Sequence, residues 1–180
     1  MPDVTLSSET FARLQKHAVP LIDTIDSVIN RALDALESDE VPQGGFVAAG
    51  AMLLDPAAPP SLSFTTVKSV VLAGRRHPPA ETYWNSVLEG VIKEAARKGK
   101  TPAEIHDLLI VNSVVGVKED GGYKVVPEAG VSVQGQDSNA AWRAAFHIAD
   151  SLGIPVEVTF VWQDSPKAAH PGGMGRLCVG

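Results

Sequence analysis

Val131-Ser-Val-Gln-Gly-Gln-Asp-Ser-Asn-Ala-Ala-Trp-Arg-Ala-Ala-Phe-His-Ile-Ala-Asp-Ser-Leu-Gly-Ile-Pro-Val-Glu-Val-Thr-Phe-Val-Trp162 reads as strand, turn, helix and strand. Val131–Gln134 is a short β-branched run. Asp137 or Ser138 caps a helix from Asn139 to Leu152, because a side-chain oxygen there accepts from the open amides of the first turn. Gly153 closes the helix. Pro155–Trp162 alternates with period two and sets Val156, Val158, Phe160 and Trp162 on one face. A strand-helix-strand order predicts a parallel pair joined by a right-handed crossover.

Upstream, Val114–Lys118 and Tyr123–Val126 flank Glu119-Asp-Gly-Gly122, which predicts a hairpin. Thr101-Pro102-Ala103-Glu104 is a helix start, with cap, first-turn proline and an acid near the positive helix end. Glu81–Lys98 has helical periodicity, with Trp84, Val87, Leu88, Val91, Ile92 and Ala95 inward. Thr65–Ala73 is a β-branched strand ending in the turn Gly74–Pro79. Residues 61–180 are therefore expected to form an α+β domain, a mixed sheet with helices on one face. Residues 39–60 carry four prolines and Gly44-Gly45 and are expected to be a linker, although Phe46–Leu54 is apolar enough to pack.

Residues 1–38 are organised differently. Pro2–Leu6 alternates as a half-buried strand. Ser7 or Ser8 caps a helix with Phe11, Leu14 and Ala18 inward, and Pro20 stops it. Asp23 or Thr24 caps a second helix whose stripe is Ile25, Val28, Ile29, Ala32, Leu33 and Leu36. An ordinary helical hairpin is one reading. However, a lone strand must satisfy its backbone through a partner, which points to a homodimer through residues 1–36.

Strand, capped helix, turn and Asp-x-x-x-x-Val-Ile-x-Arg-x-Leu over residues 3–36 resemble the ribbon-helix-helix family, and within it the SeqA-like N-terminal oligomerisation modules. The resemblance implies dimerisation, a regulatory role, a bacterial source and an association with DNA. In DNA-reading members the outward residues of the paired strands enter the major groove. Those positions are Asp3 and Thr5 here. An aspartate is repelled by phosphate, so the departure favours the dimer-forming use of the module. The second domain is similar to bacterial proteins of uncharacterised function, some labelled type IV secretion effectors. That resemblance rests on Val131–Asn139, the Trp142-Arg143 helix and Ala168–Gly172, and implies a protein-interaction module.

The net charge is −6 over 180 residues. Residues 1–58 hold Arg13, Lys16 and Arg31 against nine acids, and residues 59–180 hold twelve of each sign. Neither half is basic, as a phosphate-gripping surface usually is. One cysteine, Cys178, forms no internal disulfide and suits a reducing compartment, and no leader or membrane span is evident; the expectation is a cytoplasmic protein with no membrane partner.

Lys68, Arg75 and Arg76, with His77, form the one basic cluster and are the candidates for DNA phosphate contacts. A solvated turn accounts for them equally well. Gln134, Gln136, Asp137 and Asn139 gather at a helix N-terminus, a candidate small-ligand site or simply a capped turn. His170 and Arg176 sit in the glycine-rich run His170-Pro-Gly-Gly-Met-Gly-Arg176, either a further ligand contact or a flexible arm. No metal-ligand spacing, nucleophile elbow or reactive-cysteine setting is found. No cofactor, metal or catalytic residue is expected. The readings left open are a homodimeric DNA-associated or regulatory protein, a small-molecule binder or enzyme at Gln134–Asn139, and an effector-like interaction module.

Overall fold

The computed structural model describes Ser7, Thr10, Ile29 and residues 50–180. The chain divides into two compact units, Met1–Gly45 and Phe46–Gly180. In the first, Ser7 Oγ accepts from the amide of Thr10 at 3.1 Å, and Thr10 and Ile29 are helical. The strand at Pro2–Leu6 and the pairing of chains through residues 1–36 lie outside the described residues.

The second unit runs β1 (Met52–Leu54), β2 (Thr65–Leu72), β3 (Arg75–Arg76), a 3-10 turn (Pro79–Glu81), α1 (Trp84–Arg97), α2 (Pro102–Leu108), β4 (Ser113–Val115), β5 (Tyr123–Val126), a second 3-10 turn (Pro127–Ala129), β6 (Val131–Gln134), α3 (Ser138–Leu152), β7 (Val156–Trp162) and β8 (Met174–Val179). It is α+β. Instead of one mixed sheet there are two: a five-stranded sheet ordered β1-β8-β7-β2-β3 and a three-stranded sheet ordered β4-β6-β5.

Two expected pairings are corrected. β6 and β7 are not a parallel pair, since β6 lies between β4 and β5 while β7 lies between β2 and β8, all antiparallel. The helix between them links two sheets rather than crossing over one. β4 and β5 do not form a hairpin with each other either. Gly116 has φ 94°, which turns the chain off the β4 line, and the Ser132 hydroxyl holds the departing loop by donating to Gly116 O and accepting from Lys118 N. The short connection through Gly130, in the left-handed region, instead brings β5 back along β6.

The domain also starts earlier than residue 61. Met52–Leu54, within the stretch expected as a linker, pairs in parallel with Gly175–Leu177. Trp142 Nε1 donates to Pro56 O at 2.9 Å and Trp162 Nε1 to Ser61 O at 2.8 Å, so buried indoles tie this segment down. The glycine-rich run at 170–176 continues into β8 rather than forming a free arm. Gly175 is needed there for space: a Cβ would lie 2.6 Å from the Phe160 ring on the neighbouring strand. Glycines that suggest flexibility in sequence are here a packing requirement.

The inner stripe expected for the first helix is buried as α1, and α1 packs on α3. Trp84, Trp142, Phe160 and Trp162 form a chain of edge-to-face rings with centroids 4.9–6.1 Å apart at the centre of the core. Together α1, the β3 edge and the β5 edge frame an open cleft.

Candidate anion site

The cleft encloses about 460 Å³, with α1 as its floor, β3 and the turn after it on one side, and β5 on the other. Gly90 lets the floor come close: a Cβ there would lie 2.7 Å from Leu72 Cδ2 and 2.9 Å from His77 Cε1. The His77 ring thus reaches the helix at Gly90, with Nδ1 3.3 Å from Glu81 O.

Glu94 is the centre of the arrangement. It sits on the buried face of α1, its side chain 10% exposed, and a carboxylate so placed must be paired. Its partners come from two elements. Arg75 on β3 and Arg97, three residues further along α1, both ion-pair with the same Oε1. Their side chains remain 60% and 55% exposed. A guanidinium has five N–H donors in a rigid fork, and each arginine uses only part of its fork on Glu94. Both arginines line the cleft.

The other lining charges are held in a similar way. Lys124 on β5 bonds Glu89 Oε2 at 2.8 Å and lies 3.2 Å from the Tyr83 hydroxyl. Glu89, then Tyr83, hold the Lys124 ammonium above its ordinary pKa, so it is a fixed cation rather than a base. Lys93 pairs with Glu128 at 3.2 Å, and the Glu128 carboxyl is held below its ordinary range by its own backbone amide and then by Lys93. The Ser86 hydroxyl is occupied by the carbonyls of Glu81 and Tyr83 at 2.5 and 2.6 Å. The cleft therefore offers oriented positive charge and no activated nucleophile.

The residues expected from sequence fall in several places. Arg75 and Arg76 do not form one clamp. Arg75 is opposite Leu72 and reaches Glu94 on the helix side, while Arg76 is opposite Val71 and its side chain leaves from the other face. Lys68 is exposed on β2, on the rim of a separate depression shared with Arg76 and His77. The 134–139 turn is taken up by the fold. Gln134 accepts from Asn112 at 2.8 Å and donates to Gly121 O at 3.0 Å. Gln136 donates to Gln134 O at 2.7 Å, and its amide donates to Asn85 at 3.0 Å. Asp137 caps α3, accepting from the amides of Asn139 and Ala140. Asn139 accepts from Leu62 N and donates to Ser63 Oγ.

His170 packs edge-on against Trp162 at 4.8 Å, and Arg176 on β8 bonds Glu157 on β7 at 2.7 Å, so neither joins that turn through these contacts. The Cys178 thiol is pushed up by burial and stays protonated. Among the described residues no group of three or more His, Cys, Asp or Glu side chains is placed to hold a metal. Nor is any described helix long and apolar enough to cross a membrane.

Glu94 and Arg97 went unnoticed in the sequence, yet a signal was present. Glu94 interrupts the apolar stripe of α1 between Val91 and Ala95, and Arg97 follows at i+3. A carboxylate on the inner face of a helix requires a cation. No protein-family model, curated protein or solved structure matches this chain.

Proposed function

We propose that the protein is a dimeric regulatory protein whose α+β domain binds a small anion, a carboxylate or phosphate, in the cleft. Residues 1–38 supply a ribbon-helix-helix-like dimerisation module. The observation that carries the reading is the pair of guanidiniums, Arg75 and Arg97, held on one buried carboxylate. Glu94 orders both forks in advance, so a ligand meets donors that have already lost their side-chain freedom. The cleft volume falls within the range of small-molecule sites. Lys124 is matched by Glu89 and Lys93 by Glu128, whereas two guanidiniums share the single carboxylate of Glu94, and it is that local surplus that an anion would neutralise.

DNA contact by the 50–180 domain has less support. Residues 59–180 hold as many acidic as basic residues, and the basic cluster is split, Arg75 reaching Glu94 on the helix side while Lys68 and Arg76 border a separate depression. The DNA association implied by the N-terminal resemblance is kept for that module alone.

The test is calorimetric titration of the full chain with orthophosphate and with succinate. One of the two should bind. Arg97→Ala and Arg75→Ala should each weaken binding by about tenfold or more, as expected for losing a hydrogen bond to a charged group. Gln136→Ala should bind as the parent does. Absence of binding to either anion, or binding insensitive to both arginine changes, would reject the reading.

A further inference from the structure

Seven large apolar side chains are exposed among the described residues, and three of them, Ile110 (57%), Val115 (53%) and Val117 (79%), fall within eight consecutive positions around β4. The run from 108 to 117 has no charged residue. β4 is also an outer strand, bonded to β6 on one side only. Gln134 N donates to Asn112 O and Gly116 N donates to Gly130 O. Backbone groups alternate along an antiparallel strand. Asn112, Val114 and Gly116 therefore turn theirs toward β6, and Ser113 and Val115 turn theirs outward.

Outer strands normally carry a guard against pairing, such as a charge, a proline or very short length. β3 is two arginines, and β5 carries Lys124 and borders the charged cleft. β1 adjoins residues outside the described ones. β4, flanked on both sides by described chain, carries neither a charge nor a proline, and its three ladder residues continue at both ends into the uncharged run 108–117.

We infer that β4 pairs antiparallel with β4 of a second copy, with Val114 on the two-fold axis. In that register Ser113 of one copy is opposite Val115 of the other. Both turn N–H and C=O outward, so each such pair exchanges two hydrogen bonds. Val114 is opposite itself in a close, non-hydrogen-bonded pair, with Cα atoms about 4.5 Å apart. The two three-stranded sheets become one of six. A second copy suits this edge because the contact is self-complementary: it sets no charge against a like charge and matches β-branched residues with each other. The same operation on β3 or β5 would oppose arginine to arginine or bring lysines together. The inference is independent of the pairing proposed for residues 1–36.

Cysteine cross-linking of the full chain tests it. In a Cys178→Ala background, Val114→Cys should form a disulfide-linked dimer under mild oxidation, because facing residues of a close antiparallel pair meet disulfide geometry. It should do so at least about tenfold faster than Thr66→Cys, an exposed position on β2, since paired thiols have a high effective concentration. Amide exchange provides a second readout without cysteine. Ser113 and Val115 should be protected in the parent and exchange rapidly in Val115→Lys. Cross-linking of Val114→Cys no faster than of Thr66→Cys, or rapid exchange of both amides in the parent, overturns the inference. A dimer by light scattering that does not cross-link at position 114 leaves the N-terminal pairing standing and removes this one.

Discussion

The turn at 134–139 and the wall of the cleft around Glu94 are both dense in polar side chains, and they use them in opposite ways. At the turn, polar groups are matched to the fold's own needs: Asp137 caps α3, Asn139 holds the buried Leu62 amide, and Gln134 and Gln136 bridge loops. At the cleft, a buried carboxylate holds two cations whose outer ends remain in solvent. The first arrangement stabilises the domain and leaves little to offer a ligand. The second fixes charge in place and leaves part of it unused. Density of polar residues does not distinguish the two; what matters is whether the donors are consumed.

Predictions follow from the contrast. Replacing both Arg75 and Arg97 by alanine should weaken anion binding by about a hundredfold or more, given roughly 1.5–3 kcal/mol for each charged hydrogen bond, and should also lower stability, since the buried Glu94 carboxylate is left without its cations. Calorimetry and urea melts read the two effects separately. A double variant with undiminished affinity would break the comparison from the cleft side.

Asn139→Ala should lower stability alone. It leaves the amide of Leu62, itself 1% exposed, without its acceptor, at a cost of about 1–3 kcal/mol. Anion affinity should not move. Asp137→Ala should cost somewhat less, about 1 kcal/mol, as for loss of a helix cap. If either turn variant lowered affinity while keeping parent stability, the turn would be a binding site after all.

The smallest effect is a titration. Glu104 closes the capping box of α2, and its carboxyl is held down to about 2 by the Thr101 amide, then Lys100, then the Thr101 hydroxyl. A lowered carboxylate pKa gives stability that is present above the ordinary value of 4.5 and lost as pH falls through about 2. The group is exposed, so the check is its titration curve rather than a melt. Carboxyl resonances should show a midpoint near 2 in the parent and a higher one in Thr101→Ala. A midpoint near 4.5 in both would show that the box does not hold.

Much of the local structure was legible before the fold was known. The helix start at Thr101–Glu104, a cap at Asp137 or Ser138, the Gly153 stop and the inner faces of α1 and β7 all follow from short-range chemistry, and the structure has them, with Asp137 as the cap. Strand partners were not legible. Hairpin signals at 119–122 and the strand-helix-strand order at 131–162 each suggested a neighbour, but pairing depends on distant strands, and β6 took the place that a hairpin would have filled. β8 was hidden because Gly173 and Gly175 suggest a loose arm unless Phe160 is known to lie against Gly175. At the site, Arg75 stood out as part of a basic cluster, yet its meaning depends on Glu94, nineteen residues away in sequence. The two glutamines attracted notice through composition alone.

The most direct measurement is a nuclear magnetic resonance titration of the full chain with orthophosphate and with succinate, following backbone amides together with arginine Nε–H signals. The largest shifts should fall on Arg75 and Arg97 Nε–H and on the amides of Gly90 and Val125, which line the cleft, with the amides of 134–139 nearly still. Shifts centred on Gln134–Asn139 with the arginine signals unmoved would contradict the account.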